Sequence, residues 1–209
     1  MSKNNMSRVT RRALVGAALI TAFVVSSASA QQPQTQRVRG TIEKVDGNTL
    51  SVKARDGAVL TVALAGNAIV IGVVKASLAD IKEGSYIGSG AMPQADGSQK
   101  AIEVHIFAES QRGTGEGHRP WDGAPNSTMT NGTAGNAVTG VDGSVIILKY
   151  KDGEKKLIVT PETPIVQYVL GEKSELKPGA SINITNAVKK PDGTFEAARV
   201  NVGRDGIVP

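Results

Sequence analysis

Val38, Gly40, Ile42 and Lys44 share one face of an extended segment, and after Asp46-Gly47-Asn48 the alternation resumes at Leu50 and Val52. Asp56-Gly57 then precedes Val59-Leu60-Thr61-Val62-Ala63-Leu64, a third run with one apolar face. Alternation with period two, broken by Asp-Gly pairs, predicts strands joined by tight turns. From Val74 to Gly84 the period changes. Ala76, Leu78 and Ile81 fit a short helix, with Ser77 as its cap and Gly84 as its left-handed stop. Tyr86 to Met92 and Ala101 to Phe107 then read as two more strands around Asp96-Gly97.

The same punctuation returns further along the chain. Asp46-Gly47, Asp56-Gly57, Glu83-Gly84 and Asp96-Gly97 are answered by Asp142-Gly143, Asp152-Gly153, Pro178-Gly179 and Asp192-Gly193, at offsets of 96, 96, 95 and 96 residues. The helical segment is answered at Gly171 to Gly179, where Leu176 keeps an apolar residue in the middle, and the last strands at Ser181 to Val188 and Phe195 to Val202. This is the signature of an internal duplication. Three strands, a short helix and two strands, stated twice, predict an all-β protein with one short helix per repeat. The expected architecture is two tandem OB-like five-stranded Greek-key barrels. The first barrel would span residues 38–108 and the second 135–209, with a Gly-rich and polar connecting loop at 109–134.

The first thirty residues carry a different signal. Lys3, Arg8, Arg11 and Arg12 precede an apolar run of 13 residues, Ala13 to Val25, and small residues at Ala28 and Ala30 suit a signal peptidase. The run is short of the roughly 20 residues that a membrane-spanning helix needs. Residues 1–30 therefore read as a cleavable export signal, of Sec type rather than twin-arginine type, and the Gln-rich residues 31–37 as a disordered leader. Cleavage removes four basic residues and no acidic ones, leaving 20 Lys and Arg against 19 Asp and Glu. A nearly neutral mature chain has no field with which to attract phosphate backbones or anionic lipid, so nucleic acid and membrane surface lose ground as partners. With no cysteine in the chain, disulfides, thiolate metal sites and a lipid-anchoring thiol are excluded. The expected location is the bacterial periplasm, as a soluble protein, with full secretion as the alternative.

Gly40-Thr41-Ile42-Glu43, Lys82-Glu83-Gly84 and Ala101-Ile102-Glu103-Val104, set in a duplicated β pattern behind an export signal, resemble a family of small exported bacterial β-barrel modules without an assigned activity. The resemblance covers the first copy well. In the second, Gly135-Asn136-Ala137-Val138 replaces the opening strand and Arg199 stands at the Glu103 position. It implies fold and compartment and leaves the ligand open.

Candidate chemistry gathers between the copies. Residues 109–134 hold the single tryptophan and one of two histidines, in Gly117-His118-Arg119-Pro120-Trp121-Asp122. A purely flexible linker has no use for tryptophan, whose apolar surface gains most when buried, so this element is expected to dock on a barrel or a partner. The leading expectation is a non-enzymatic periplasmic binding module that presents Arg112, His118, Arg119, Trp121 and Asp122 to a protein or a small ligand, with Trp121 as anchor. The alternative is a metal-handling protein. There His105, Glu103 on the same strand face, and a folded-back His118 would hold zinc or copper, with Glu109, Glu116 or Asp122 as further oxygen ligands. No Gly-x-Ser-x-Gly elbow, Ser-x-x-Lys or phosphate-cradling loop is present, so no catalytic residue is singled out and no enzyme is expected.

Overall fold

The structure, a computed structural model, describes residues 34–140 and 143–209. The expected export signal lies outside them. Thirteen strands and three single turns of 3-10 helix make up the described chain, which is all-β. No helix among the described residues is long and apolar enough to cross a membrane.

Strands β1 (Thr35–Asp46), β2 (Thr49–Ala54) and β3 (Val59–Ala76) pair in succession as an antiparallel meander. Near the other end of the chain, β12 (Ser181–Lys189) and β13 (Phe195–Gly203) form an antiparallel pair. β12 pairs with β1, and β13 runs parallel to β3 from Phe195↔Val62 to Gly203↔Val73. These five strands close into a barrel around Val38, Ile42, Leu50, Val62, Ile182, Ile184 and Val200, all at most 1 % exposed. Each such side chain stabilises the fold by roughly 1.5–3 kcal/mol relative to leaving it in water.

The extra strands surround a second core. β4 (Tyr86–Pro93) pairs with β5 (Gln99–Ile106) and with β7 (Thr128–Ala134). β9 (Gly143–Tyr150) pairs with β10 (Gly153–Val159). Two ladders of two residue pairs each, Thr133↔Lys149 with Ala134↔Leu148 and Leu157↔Gln99 with Ile158↔Lys100, join these strands in a circuit around Ile87, Val104, Ile146, Leu148 and Leu157. Short β6 (Gly117–Pro120) and β8 (Val138–Gly140) flank β7 and β9. β11 (Ile165–Leu170) lies between β5 and the second half of β3, and its six pairs with β3 tie the two lobes together.

Several expectations change here. The barrel does not close within residues 38–108, nor a second within 135–209: the closed barrel takes β1–β3 from one half of the chain and β12–β13 from the other. The expected helices are single 3-10 turns, Leu78–Asp80 and Lys173–Glu175. In the first, Asp80 accepts from the Ser77 backbone N–H and from its hydroxyl, both at 2.8 Å, so the cap works from the far side of the turn. The apolar residue that follows each turn is a plug. Ile81 enters the second core and Leu176 the barrel core. Within the segment expected as leader, Thr35 pairs with Val188. The stretch 109–134, expected as loop, contains a 3-10 turn and two strands.

Candidate functional site

Gly88 and Gly90 lie two apart on β4 and face the same side of the sheet. Neither carries a Cβ, and rings occupy the freed space. His105, paired across the ladder with Gly88, lays Nε2 over the Gly88 Cα, and the six-membered ring of Trp121 covers Gly90. A methyl at either position would collide with the ring above it. Gly123 packs against the same ring at Cζ2, Cη2 and Cε2, so Trp121 is half-buried, held between two glycines.

Tyr168 comes to the same place from β11. Its ring stacks on His105 with centroids 5.2 Å apart and planes 7° from parallel, while Phe107 meets both edge-on at 4.9 and 5.4 Å. His105 is 7 % exposed. Burial, helped by the charge of Arg119, pulls its pKa from 6.5 down to about 4, so the imidazole is neutral at neutral pH. Burial with Glu103 nearby pushes the Tyr168 phenol up to about 12.

These rings wall a cleft between the barrel and the second lobe. One cavity of about 700 Å3 is lined by Arg37, Arg39, Glu103, His105, Trp121, Tyr168, Asn131, Asn183 and Arg199, among others. A second, of about 1110 Å3, adds Arg55, Lys75, Ile165 and Pro209 and shares Arg39, Glu103, His105, Trp121, Tyr168 and Asn183 with the first. The two therefore meet around Glu103 and the stacked rings.

The polar groups of the cleft are incompletely paired. The Glu103 carboxylate makes no hydrogen bond or ion pair with any described residue, and burial outweighs the attraction of Arg39, Arg37 and Arg55 to hold its pKa above the usual range. Arg39 is lowered by burial and by the repulsion of Arg37. Asp122 pairs with Arg37 and lies 3.6 Å from Arg39, fastening the Trp121 loop to β1. Asn131 donates through Nδ2 to the Thr114 carbonyl at 3.0 Å, which leaves its Oδ1 without a partner. Arg37 Nε, Asn131 Oδ1 and Asn183 Oδ1 are the buried side-chain polar atoms without a partner among the described residues, and all three residues line the 700 Å3 cavity. Each such atom costs about 1–3 kcal/mol when desolvated and unmet.

Of the residues expected to form one surface, Arg119 and Trp121 line this cleft and Asp122 stands at its rim. Arg112 and His118 do not join them. Arg112 clamps Glu109 at 2.5 Å, donates to the Gly84 carbonyl at 2.9 Å and covers the Tyr86 ring, fastening the 3-10 turn Glu109–Gln111 to the lobe. His118 bonds Thr130 Oγ1 at 2.8 Å and stacks near Tyr150.

The expected metal site is overturned by the register. Across the sheet His105 faces Gly88, Gly88 faces Asn131, and Asn131 faces Gly117, the neighbour of His118. His118 is therefore three strands away, about 14 Å at the usual strand spacing, and its side chain points to the opposite face. Glu103 and His105 share the cleft face, yet no group of three metal-ligating side chains occurs among the described residues. Sequence reasoning missed Tyr168, Asn183 and Arg37. Arg37 lay in the leader read as disordered, and the other two sit in strands where nothing local marks them. Comparison with protein-family models, curated proteins and solved structures finds no match for the chain.

Proposed function

We propose that the protein is a non-enzymatic binding module that takes a small organic ligand into the cleft between its lobes, outside the inner membrane of a bacterium. One observation carries this reading: every residue that holds an unpartnered buried polar side-chain atom, among the described residues, lines the same aromatic-walled cavity. Native proteins leave few such groups unmet, and a concave site with convergent polar groups and shifted pKa values is the default place for a ligand. A small ligand is favoured over a protein partner because Trp121 lies back against Gly90 and Gly123 and does not project outward. The export signal and the likeness to exported β-barrel modules support the compartment.

The tandem reading of the chain is part of the same proposal. Adding 96 to one partner and subtracting 96 from the other turns the pair Val73↔Tyr168 into Gly72↔Val169, which is the next rung of the β3–β11 ladder. Subtracting 96 from both partners likewise turns Val188↔Glu196 and Lys189↔Phe195 of β12–β13 into Met92↔Lys100 and Pro93↔Gln99 of β4–β5, while β4–β7 stands three or four residues out of the register that β1–β12 would give. This supports two copies of one five-stranded module that have exchanged their last two strands. The copies differ at Glu103 against Arg199 and at His105 against Asn201, and all four residues line one cavity, as a binding site that has diverged from a shared frame would.

The test uses the mature chain from residue 31 and the aromatic anion 8-anilino-1-naphthalenesulfonate. The single tryptophan should transfer energy to the bound dye with saturation near one equivalent, and Tyr168→Ala should weaken the dye while far-UV circular dichroism is kept. Dye emission that rises without saturation, or that ignores Tyr168, overturns the reading.

A further inference from the structure

The 700 Å3 cavity combines three kinds of group that seldom meet. It has aromatic faces, in Trp121, Tyr168 and Phe107; a set of uncharged hydrogen-bonding side chains, among them Asn131, Asn183, Asn186, Asn201 and Gln111; and an excess of guanidinium groups over carboxylates. Arg37, Arg39, Arg119 and Arg199 line it against Glu103 and Glu116. Glu116 is already engaged, accepting from the Lys151 backbone N–H at 3.0 Å, and Arg37 is paired with Asp122. Arg199 makes no ion pair with a described residue, and Arg39 has only the 3.6 Å approach to Asp122. The open cleft is thus short of negative charge.

Resting on the binding function proposed above, we infer that the ligand is a short acidic saccharide, a sugar of the uronic acid type. Its carboxylate would meet Arg39 and Arg199, where the planar guanidinium fork matches a carboxylate with two hydrogen bonds. Its hydroxyls, each a donor and an acceptor, suit the asparagine amides that line the cavity. The C–H face of a pyranose ring is apolar and fits flat against Trp121 or Tyr168. A purely apolar anion would satisfy the arginines and leave the amides unmet, which costs affinity at every unpaired group. A neutral sugar would leave the guanidinium excess uncompensated. His105 contributes no charge to this balance, since burial keeps it neutral.

Trp121 emission of the mature chain is titrated with trigalacturonate, with its methyl ester, with maltotriose and with the anilinonaphthalene dye. Trigalacturonate should change the emission saturably and displace the dye. Arg39→Gln should weaken it roughly tenfold or more, the usual weight of a charge-assisted hydrogen bond. The exposed Arg199→Gln should weaken it in the same direction, and it stands in if Arg39→Gln fails to fold. Binding of the methyl ester or of maltotriose as tightly as of the acid overturns the inference. Saturable dye binding that no saccharide displaces also overturns it and leaves the cleft as the site of another ligand. If neither dye nor saccharide binds, the binding function falls with it.

Discussion

Lowering the pH from 7 to 4 tests the burial of His105 directly. The imidazole lies under Tyr168, beside Phe107 and over bare Gly88, and its folded pKa is held at about 4 against 6.5 in an open chain. Because the folded value is the lower one, the unfolded chain takes up a proton first as the pH falls. The stabilising contribution is complete above 6.5 and is lost progressively as the pH approaches 4. At about 1.4 kcal/mol per pH unit, that gap is worth roughly 3 kcal/mol. The assay is urea unfolding at pH 7, 5.5 and 4, followed through Trp121, on the natural chain and on His105→Asn, which installs the residue found at position 201. Glu175 and Asp80, whose pKa values are lowered by Arg204 and Ser77, also lose stabilisation in acid, while Glu103, raised by burial, moves the opposite way. Those groups are common to both chains and cancel in the difference. The natural chain should lose roughly 3 kcal/mol more than the variant over the interval. Parallel pH profiles would refute the buried, neutral imidazole.

Gly90→Ala drives a methyl into the Trp121 ring and should destabilise by about 1–3 kcal/mol, shift the emission to longer wavelength and weaken dye binding. Leu148→Ala empties a fully buried position of the second core and should cost about 2–5 kcal/mol by denaturant unfolding. Arg204→Ala breaks a 2.8 Å pair with Glu175 whose side chains are 37 % and 22 % exposed; the loss should stay near 1 kcal/mol and shrink in high salt. Asp122→Asn frees Arg37 and Arg39, so it should tighten binding of an anionic probe while changing stability by less than about 1 kcal/mol, and looser binding would contradict the charge balance described for the cleft.

Turns were legible in the sequence because their requirement is local. All eight glycines of the repeated pairs, from Gly47 to Gly193, adopt positive φ, a region that residues with a Cβ avoid. Alternation also survives intact, as in β9, where Ser144, Ile146 and Leu148 are buried in turn. The far half of β3 was not legible. Ile71 to Val73 pairs on both sides, with β13 and β11, and Val70 to Val73 are buried in succession, so period two gives way to an unbroken apolar run that mimics the start of a helix. Partner choice was hidden for a different reason: strands of like pattern offer each closing strand more than one partner, and the decision between them is made by packing between residues far apart in the chain. Trp121 announced itself as a lone aromatic residue in a polar segment. Asn131 and Asn183 could not, since what sets them apart is an unpaired atom, a property of the assembled cleft.

The long-range strand pairing also explains why a cleft stands open without a hinge. β3 belongs to the barrel through its pairing with β2 and to the second lobe through six backbone pairs with β11, which itself runs beside β5. The walls of the cavity are therefore held apart by one continuous hydrogen-bonded sheet, and side chains from β1, β5, β11, β12 and β13 project into a space whose width the backbone sets. A cleft fixed in this way would need little reorganisation to take the proposed ligand, so little of the interaction energy would be lost to ordering it. Unmet amides and an unpaired Glu103 carboxylate are tolerated there because the apolar cores on either side supply the stability. The cleft is thus free to carry polar groups that the fold itself does not pair.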